Sequence, residues 1–473
     1  MKYLAKKYKL LSWGLLTVVS TIALQACKDD PILVKSIDES GYHVSGESIS
    51  YLAGTDGKIG NAMLELRSEG AYDVVLQLSK PATQAIKGSL IYDESILLAY
   101  NQKNSTTLKA FPQELVTFSN DSQFEVQASA MSSAPITVSA KSGTEIDENA
   151  TYVIPLSTKL TNGALLSKSS DLLLFVKDFS KVPSTDKSTG IKIISCMEVN
   201  DTNPLNNLSL KLKNSDKYLI DMVILFSSNI NYDQTTGKVK VTHNPNVTHL
   251  LANHAKYIKP LQDKGMKVIL SILGNHDRSG VANLSDAAAK VFAQEIKTVC
   301  DAYNLDGVFF DDEYSAYQSP PPPGFVSPSN RAAARLVYET KMAMPDKLTM
   351  VYVYSRTNNF GGTGAIAEAP AGQYVDYALH DYGGSFDLST RYPGLPKSRW
   401  GMSSAEYNLG RLPSTSALTN LRTGGFGAHM IFAFDPNRAN FDGLQTPALQ
   451  NVARILFDDE LVIDKSKIYA KDW

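Results

Sequence analysis

The chain has 473 residues, 46 of them Lys or Arg against 48 Asp or Glu, for a formal net charge of −2. At roughly 100–200 residues per domain the length predicts two or three domains, and 43% hydrophobic with 20% charged residues excludes disorder as the main state. Near-neutrality removes the electrostatic case for nucleic acid, so none is expected as a partner. Three cysteines are too few for a four-cysteine zinc site.

Residues 1–26 read as an address. Lys2, Lys6, Lys7 and Lys9 precede an apolar run, Leu10 to Leu24, that is shorter than the roughly 20 residues of a membrane span. The run ends in Leu24-Gln25-Ala26-Cys27, which resembles the bacterial lipobox with Cys27 as the lipidated residue. A plain secretory signal is the alternative, and the basic–apolar–small–Cys order favours the lipobox. Lys28-Asp29-Asp30 resembles the acidic tag that sends lipoproteins to the surface of some glycan-degrading Gram-negative bacteria. The implied location is the cell surface, lipid-anchored to the outer membrane, where the substrate is too large to import.

Residues 27–182 read as an all-β sandwich without a convincing helix. Tyr72, Val74, Leu76 and Leu78 alternate with polar neighbours, and so do Phe124, Val126 and Ala128. Turn signals such as Gly54-Thr55-Asp56-Gly57 separate the runs, which indicates antiparallel pairing. No chemistry is visible there. The domain is a spacer above the membrane or a module for glycans or other surface glycan-uptake proteins, the spacer being slightly preferred. Residues 183–190, with Pro183 and Gly190, form a polar linker. Beyond it, export permits a disulfide between Cys196 in a strand and Cys300 in a helix, and two buried free thiols is the preferred reading.

From residue 191 to 473 apolar strands alternate with helical patterns. Strands are expected at Ile191–Cys196, Met222–Ser227, Lys267–Ile272, Gly307–Asp311, Thr349–Tyr354, Tyr374–Leu379, Gly401–Ser404 and Ala428–Phe434. Helical periodicity covers Thr248–Lys264, Ser285–Tyr303, Asn330–Met344 and Leu444–Phe457. Continuous apolar strands alternating with helices imply a parallel sheet. Eight units in this length fit an α/β TIM (β/α)8 barrel following the sandwich.

Catalytic groups of such barrels sit at the C-terminal strand ends. Strand four reads LDGVFFDDEY, residues 305–314. Alternation puts Phe309, Asp311 and Glu313 on the barrel-facing side and Asp312 on the other, where a salt bridge or cap suits it. Carboxylates two residues apart are about 7 Å apart at Cα. Their repulsion raises one pKa and makes a general acid.

This segment resembles the Asp-x-x-Asp-x-Asp-x-Glu signature of family 18 glycoside hydrolases, supplied here by Asp306, Phe309, Asp311 and Glu313. The longer string, with ILFSSNINYD, ILGNHDRSG and HDY, is similar to the endo-β-N-acetylglucosaminidases that cut within the chitobiose core of N-glycans. The resemblance implies retention assisted by the substrate's own acetamide. Glu313 would be acid and then base, Asp311 would orient the acetamide, Tyr382 would hold its oxygen and His380 would contact substrate. Phe309 stands where much of the family has an inner aspartate, which puts any mechanism needing that group in doubt.

Further substrate contacts are expected after predicted strands, at Asn229, Asn231, Asn275, His276, Tyr354, Arg356, Glu406, Asn408, Asp435 and Asn437, each of which is equally a loop cap. His254 and His429 read as structural; scattered histidines argue against a metal site, and no cofactor is expected. The expected activity is endo-hydrolysis of N-glycans, high-mannose by the nearest resemblance. A family 18 chitinase and a non-catalytic glycan-binding lipoprotein are the rivals. Poverty in tryptophan disfavours the first, and the presence of Glu313 disfavours the second.

Overall fold

The computed structural model describes residues 49–147, 150–161, 165–166 and 171–473. The signal-like start, Cys27 and Lys28-Asp29-Asp30 lie outside the described residues.

The N-terminal part is two stacked sheets, five-stranded and six-stranded among the described residues. Glu69–Leu78 pairs antiparallel with Ile49–Gly54 and Ile136–Lys141 in the first sheet. Thr151–Leu160 lies antiparallel to Leu172–Asp178 and Ile86–Tyr92 in the second. Val74, Leu76 and Leu78 from one sheet and Phe124 and Val126 from the other bury in one shared core. Alternation has this result because successive side chains leave a strand on opposite faces. Two features differ from expectation. Asn61–Leu66 pairs parallel with Leu172–Asp178, so the sandwich is not purely antiparallel. A helix also spans Glu94–Asn104, capped by Asp93, whose carboxylate accepts from Ser95 N at 3.0 Å. It buries only Leu97, so it carries no apolar stripe for periodicity to find.

The C-terminal part is a closed barrel of eight parallel strands: Lys192–Glu198, Met222–Asp233, Lys267–Leu273, Gly307–Phe310, Leu348–Val353, Tyr377–His380, Trp400–Gly401 and Ala428–Phe432. The last pairs with the first and completes the ring. Helices Asp286–Ala302 and Asn330–Ala343 follow strands three and four, capped by Ser285 and Ser329. The single helix expected over Thr248–Lys264 is three short ones, Pro245–Ala252, His254–Tyr257 and Lys259–Gln262. Pro260 lacks the N–H a continuous helix needs, and the Asn253 amide bonds back to His249 O at 2.9 Å. Strands one and six are followed by 3₁₀ turns and strand five by 3₁₀ turns and the four-residue helix Ala371–Tyr374. Thr415–Thr423 is an unexpected helix after strand seven. Cys196 faces the barrel interior and Cys300 the outer layer; both are free, buried and pushed up by burial, Cys300 to about 12.

The sandwich is fastened to the N-terminal end of the barrel, the end associated with stability. Buried Asp376, just before strand six, accepts from Lys341 Nζ at 2.8 Å and Thr349 N at 2.9 Å, with Lys58 of the sandwich at 3.4 Å and Arg399 at 3.5 Å. Lys58 also donates to Gln373 O at 3.0 Å. The cations hold the Asp376 carboxyl well below its usual range against the penalty of burial. Asp376→Asn would leave buried cations without a counter-charge. The expected cost is about 3–5 kcal/mol of stability, read as a lowered midpoint in thermal or urea unfolding. An unchanged midpoint would show the cluster contributes nothing.

Candidate active site

Strand four aims the central groups. Gly307 is required at its start, since a Cβ there would meet Leu348 O at 2.4 Å. Phe309 points into the barrel among Ile194, Cys196, Met350, Leu379 and Met430, while Val308 and Phe310 pack outward. The same alternation brings Asp311 and Glu313 to the floor of a cleft of about 560 Å³ at the C-terminal end of the barrel. Asp306, first of the signature residues, lies at the opposite end, accepting from Val268 N and Gln262 Nε2, both at 2.9 Å. It ties strands rather than meeting a ligand.

Asp311 and Glu313 line the cleft together, close enough for the charge of Glu313 to act on Asp311. Asp311 is 2% exposed and its Oδ1 is buried with no partner. Burial, then the charge of Glu313, pushes Asp311 well above the usual carboxylate range. Burial, then the charge of Asp381, raises Glu313 as well. Paired acids in a partly dry cleft hold a proton where isolated ones would not. Asp312 caps the outer side, accepting from the Tyr317 hydroxyl and from Arg356 N at 3.0 Å.

Tyrosines and phenylalanines wall the cleft. Tyr314, Tyr352, Tyr354 and Tyr382 line it with Phe226 and Phe432. Tyr354 stacks on Tyr352 at 5.8 Å, and Tyr382 lies 6.1 Å from Phe432. Trp400 is buried elsewhere, its Nε1 donating to Leu395 O at 2.9 Å, and Trp473 stacks on His249.

The expectation for His380 needs correction. Strand six turns Tyr377 and Leu379 inward, so His380 faces out and is fully buried, its ring nitrogens 3.0 Å from Gly401 O and 2.9 Å from Phe386 O. Neither nitrogen is left for substrate. Asp381 continues the inward face, and the turn that follows brings Tyr382 back to the cleft. Asp381 was not foreseen. Its Oδ1 accepts from the Tyr352 hydroxyl at 2.5 Å and from Tyr382 N at 2.6 Å. The alternation starting at Leu379 was the available signal.

Asp435 is also corrected, because its carboxylate accepts from Thr202 Oγ1 at 3.1 Å and Asn437 N at 2.9 Å, beside Arg438. It pins a loop. Asn437 donates to Tyr469 O at 2.9 Å. Asn229 donates to Gly274 O at 3.1 Å, and the amides of Asn275, Asn231 and the Asp277 carboxylate form a chain with links of 3.1 and 3.2 Å. His276 is exposed, 5.6 Å from Tyr314. Arg356 has an exposed side chain, and Asn408 is half-buried with Oδ1 unpartnered. Glu406 does line the cleft, 2.9 Å from Arg411, and Glu198 and Asn200 join it from strand one. Neither Arg411 nor the strand-one pair stood out in sequence. Among the described residues no three His, Cys, Asp or Glu side chains form a metal-binding group.

Over 292 residues, 62% of this chain and 85% of the relative, the chain is 65% identical to endo-beta-N-acetylglucosaminidase F1 of Elizabethkingia meningoseptica. It is 31% identical over 278 residues, 58% of this chain and 83% of the relative, to an endo-beta-N-acetylglucosaminidase of Flavobacterium sp. (strain SK1022). The crystal structure of Bacteroides thetaiotamicron EndoBT-3987 with Man5GlcNAc product matches with TM-score 0.81 and 33% identity, covering 89% of this chain and 97% of that one. The same protein with a Man9GlcNAc2Asn substrate matches with TM-score 0.74 and 32% identity over the same shares, 89% and 97%. A family model of an N-terminal domain matches residues 47–165.

Proposed function

The chain belongs to the endo-β-N-acetylglucosaminidases, and from that premise we propose how it cuts the bond between the two core N-acetylglucosamines of N-glycans. The observation that carries the reading is the Asp311–Glu313 pair of carboxylates, brought together in an aromatic-walled cleft. Stacking surfaces suit sugar faces, and a raised carboxyl suits proton donation at neutral pH.

The reaction is retaining and substrate-assisted, as in family 18. Glu313, protonated, donates to the leaving glycosidic oxygen and then takes a proton from the incoming water. With the proton held by the pair on Glu313, Asp311 is the carboxylate that accepts the acetamide N–H, for which its unpartnered Oδ1 is a ready acceptor, and it offsets the positive charge of the oxazolinium. The Tyr382 hydroxyl holds the acetamide oxygen that attacks the anomeric carbon. High-mannose glycans are the favoured substrates, following the Man5GlcNAc and Man9GlcNAc2Asn ligands of the structural relative. Residues 1–27 support a second part of the proposal, a lipid anchor at Cys27 that holds the enzyme on the outer membrane surface.

Intact-mass analysis of a high-mannose glycoprotein incubated with the chain lacking residues 1–27 tests the reading. The expected product keeps a single N-acetylglucosamine on asparagine. Complete removal of the glycan, or trimming from its outer end, would contradict it.

A further inference from the structure

His380 sits between two backbone carbonyls. Its Nδ1 is 3.0 Å from Gly401 O on strand seven, and its Nε2 is 2.9 Å from Phe386 O in the loop that follows strand six. The ring is fully buried and packs edge-on against Phe386 at 4.3 Å. Both partners accept and neither can donate. A neutral imidazole has one N–H and one lone pair, so it serves one carbonyl and turns its lone pair on the other. The imidazolium, with two N–H groups, satisfies both.

The position matters because strand seven is short. Its two residues, Trp400–Gly401, pair with Ala378 and Leu379 of strand six. Further along, Gly383 N donates to Ser404 O at 2.9 Å and Ser403 N to Gly384 O at 2.7 Å. His380 joins these two sets of links, and Asp381 and Tyr382 lie on the stretch so held. Asp381 in turn accepts from the Tyr352 hydroxyl and from Tyr382 N, and its charge raises Glu313. Asp381, at the end of the same strand, and Arg391, 4.4 Å over the Phe386 ring, are the charged groups acting on the imidazole. Strands five and seven bring Val353 and Gly401, which carry no charge. Burial lowers the pKa of the ring, the two carbonyls and Asp381 raise it, and Arg391 lowers it again, leaving it below the ordinary histidine value. Of the two carbonyls, Phe386 O is the one free to leave: residues 385–387 are exposed, whereas Gly401 is buried in the barrel wall.

We propose that His380 is a positioning residue that works as an imidazolium, clamping the loop at Phe386 to strand seven and so holding Asp381 and Tyr382 at the cleft, and that loss of its proton releases the loop. The effect on the reaction rests on the endo-glycosidase reading; the clamp itself does not. Its test uses the chain lacking residues 1–27 with 15N-labelled histidine, the His380 signals being assigned by their absence in His380→Gln. Both ring nitrogens are expected to be protonated at acid pH and one to lose its proton as pH rises. A ring that stays neutral at every pH at which the protein is folded overturns the proposal. The second measurement is kcat on Man9GlcNAc2Asn peptide against pH for wild type and His380→Gln, whose amide donates at any pH. The ratio of wild-type to variant kcat cancels the limbs set by Asp311 and Glu313. It is expected to be about tenfold below the His380 midpoint, with KM within about twofold, and to fall as pH rises through that midpoint. A ratio independent of pH would make His380 merely structural and overturns the positioning role. Should the variant not fold, amide exchange of Gly383 and Gly384 in the wild type decides. Their protection, corrected for the intrinsic effect of pH, is expected to drop about tenfold across the midpoint, and constant protection overturns the clamp. Wild-type protein inactive on the peptide would sink the endo-glycosidase reading, while the titration and the exchange still decide the clamp.

Discussion

Glu313→Gln is expected to lower kcat on high-mannose glycoprotein by about 10³-fold or more, since a positioned general acid is worth roughly 10²–10⁴. Glutamine keeps the shape of the side chain but holds no proton to give to the leaving oxygen. The pH profile separates this from a folding defect. Burial and the Asp381 charge raise Glu313, and the acid works only when protonated. Wild-type kcat/KM is therefore high below that raised pKa and falls as pH rises through it. The limb belongs to the Asp311–Glu313 pair rather than to one residue. In the glutamine variant the residual rate should lose this alkaline fall. A variant with near-wild-type kcat and the same limb would remove Glu313 from the acid role.

The residues legible in sequence were those whose direction a strand alone decides. Phe309, Asp311 and Glu313 share a face because strand four runs straight through them, and the structure keeps that phase. His380 was misplaced because strand six ends there, and the turn re-aims Tyr382 while Asp381 keeps the inward phase. Loop residues were harder for another reason. Strand ends leave backbone and side-chain groups that must find partners, and Asn229, Asn231 and Asp435 satisfy them. Which asparagine caps a loop and which meets a ligand depends on pairings across three loops, none close in sequence. The barrel was readable from eight apolar strands even though strands one and six lack an α-helix after them, because strand burial is set inside the ring. Nothing in local sequence announced that Lys58 would cross from the sandwich to Asp376.

Asp311→Asn tests the division of labour between the two carboxylates. Hydrolysis has two halves: ring closure to the oxazolinium, then attack by water. Asp311 acts in the first, where a charged acceptor aims the acetamide and offsets the positive charge that develops. Asparagine presents a neutral group in the same place, and hydrolysis of the intact glycan is expected to slow about 10²-fold or more. A preformed sugar oxazoline has already passed that half. It needs Glu313 to activate the acceptor and little from Asp311, so the variant should still consume it within about tenfold of wild type. Phe309 sharpens this test. With Phe309 and not a carboxylate below Asp311 on its own strand, the buried Oδ1 has no partner in the protein, and no inner carboxylate of strand four can take over the orienting role. Equal loss on glycan and oxazoline would mean that Asp311 serves both halves, and the assignment of Asp311 as orienter alone would fail.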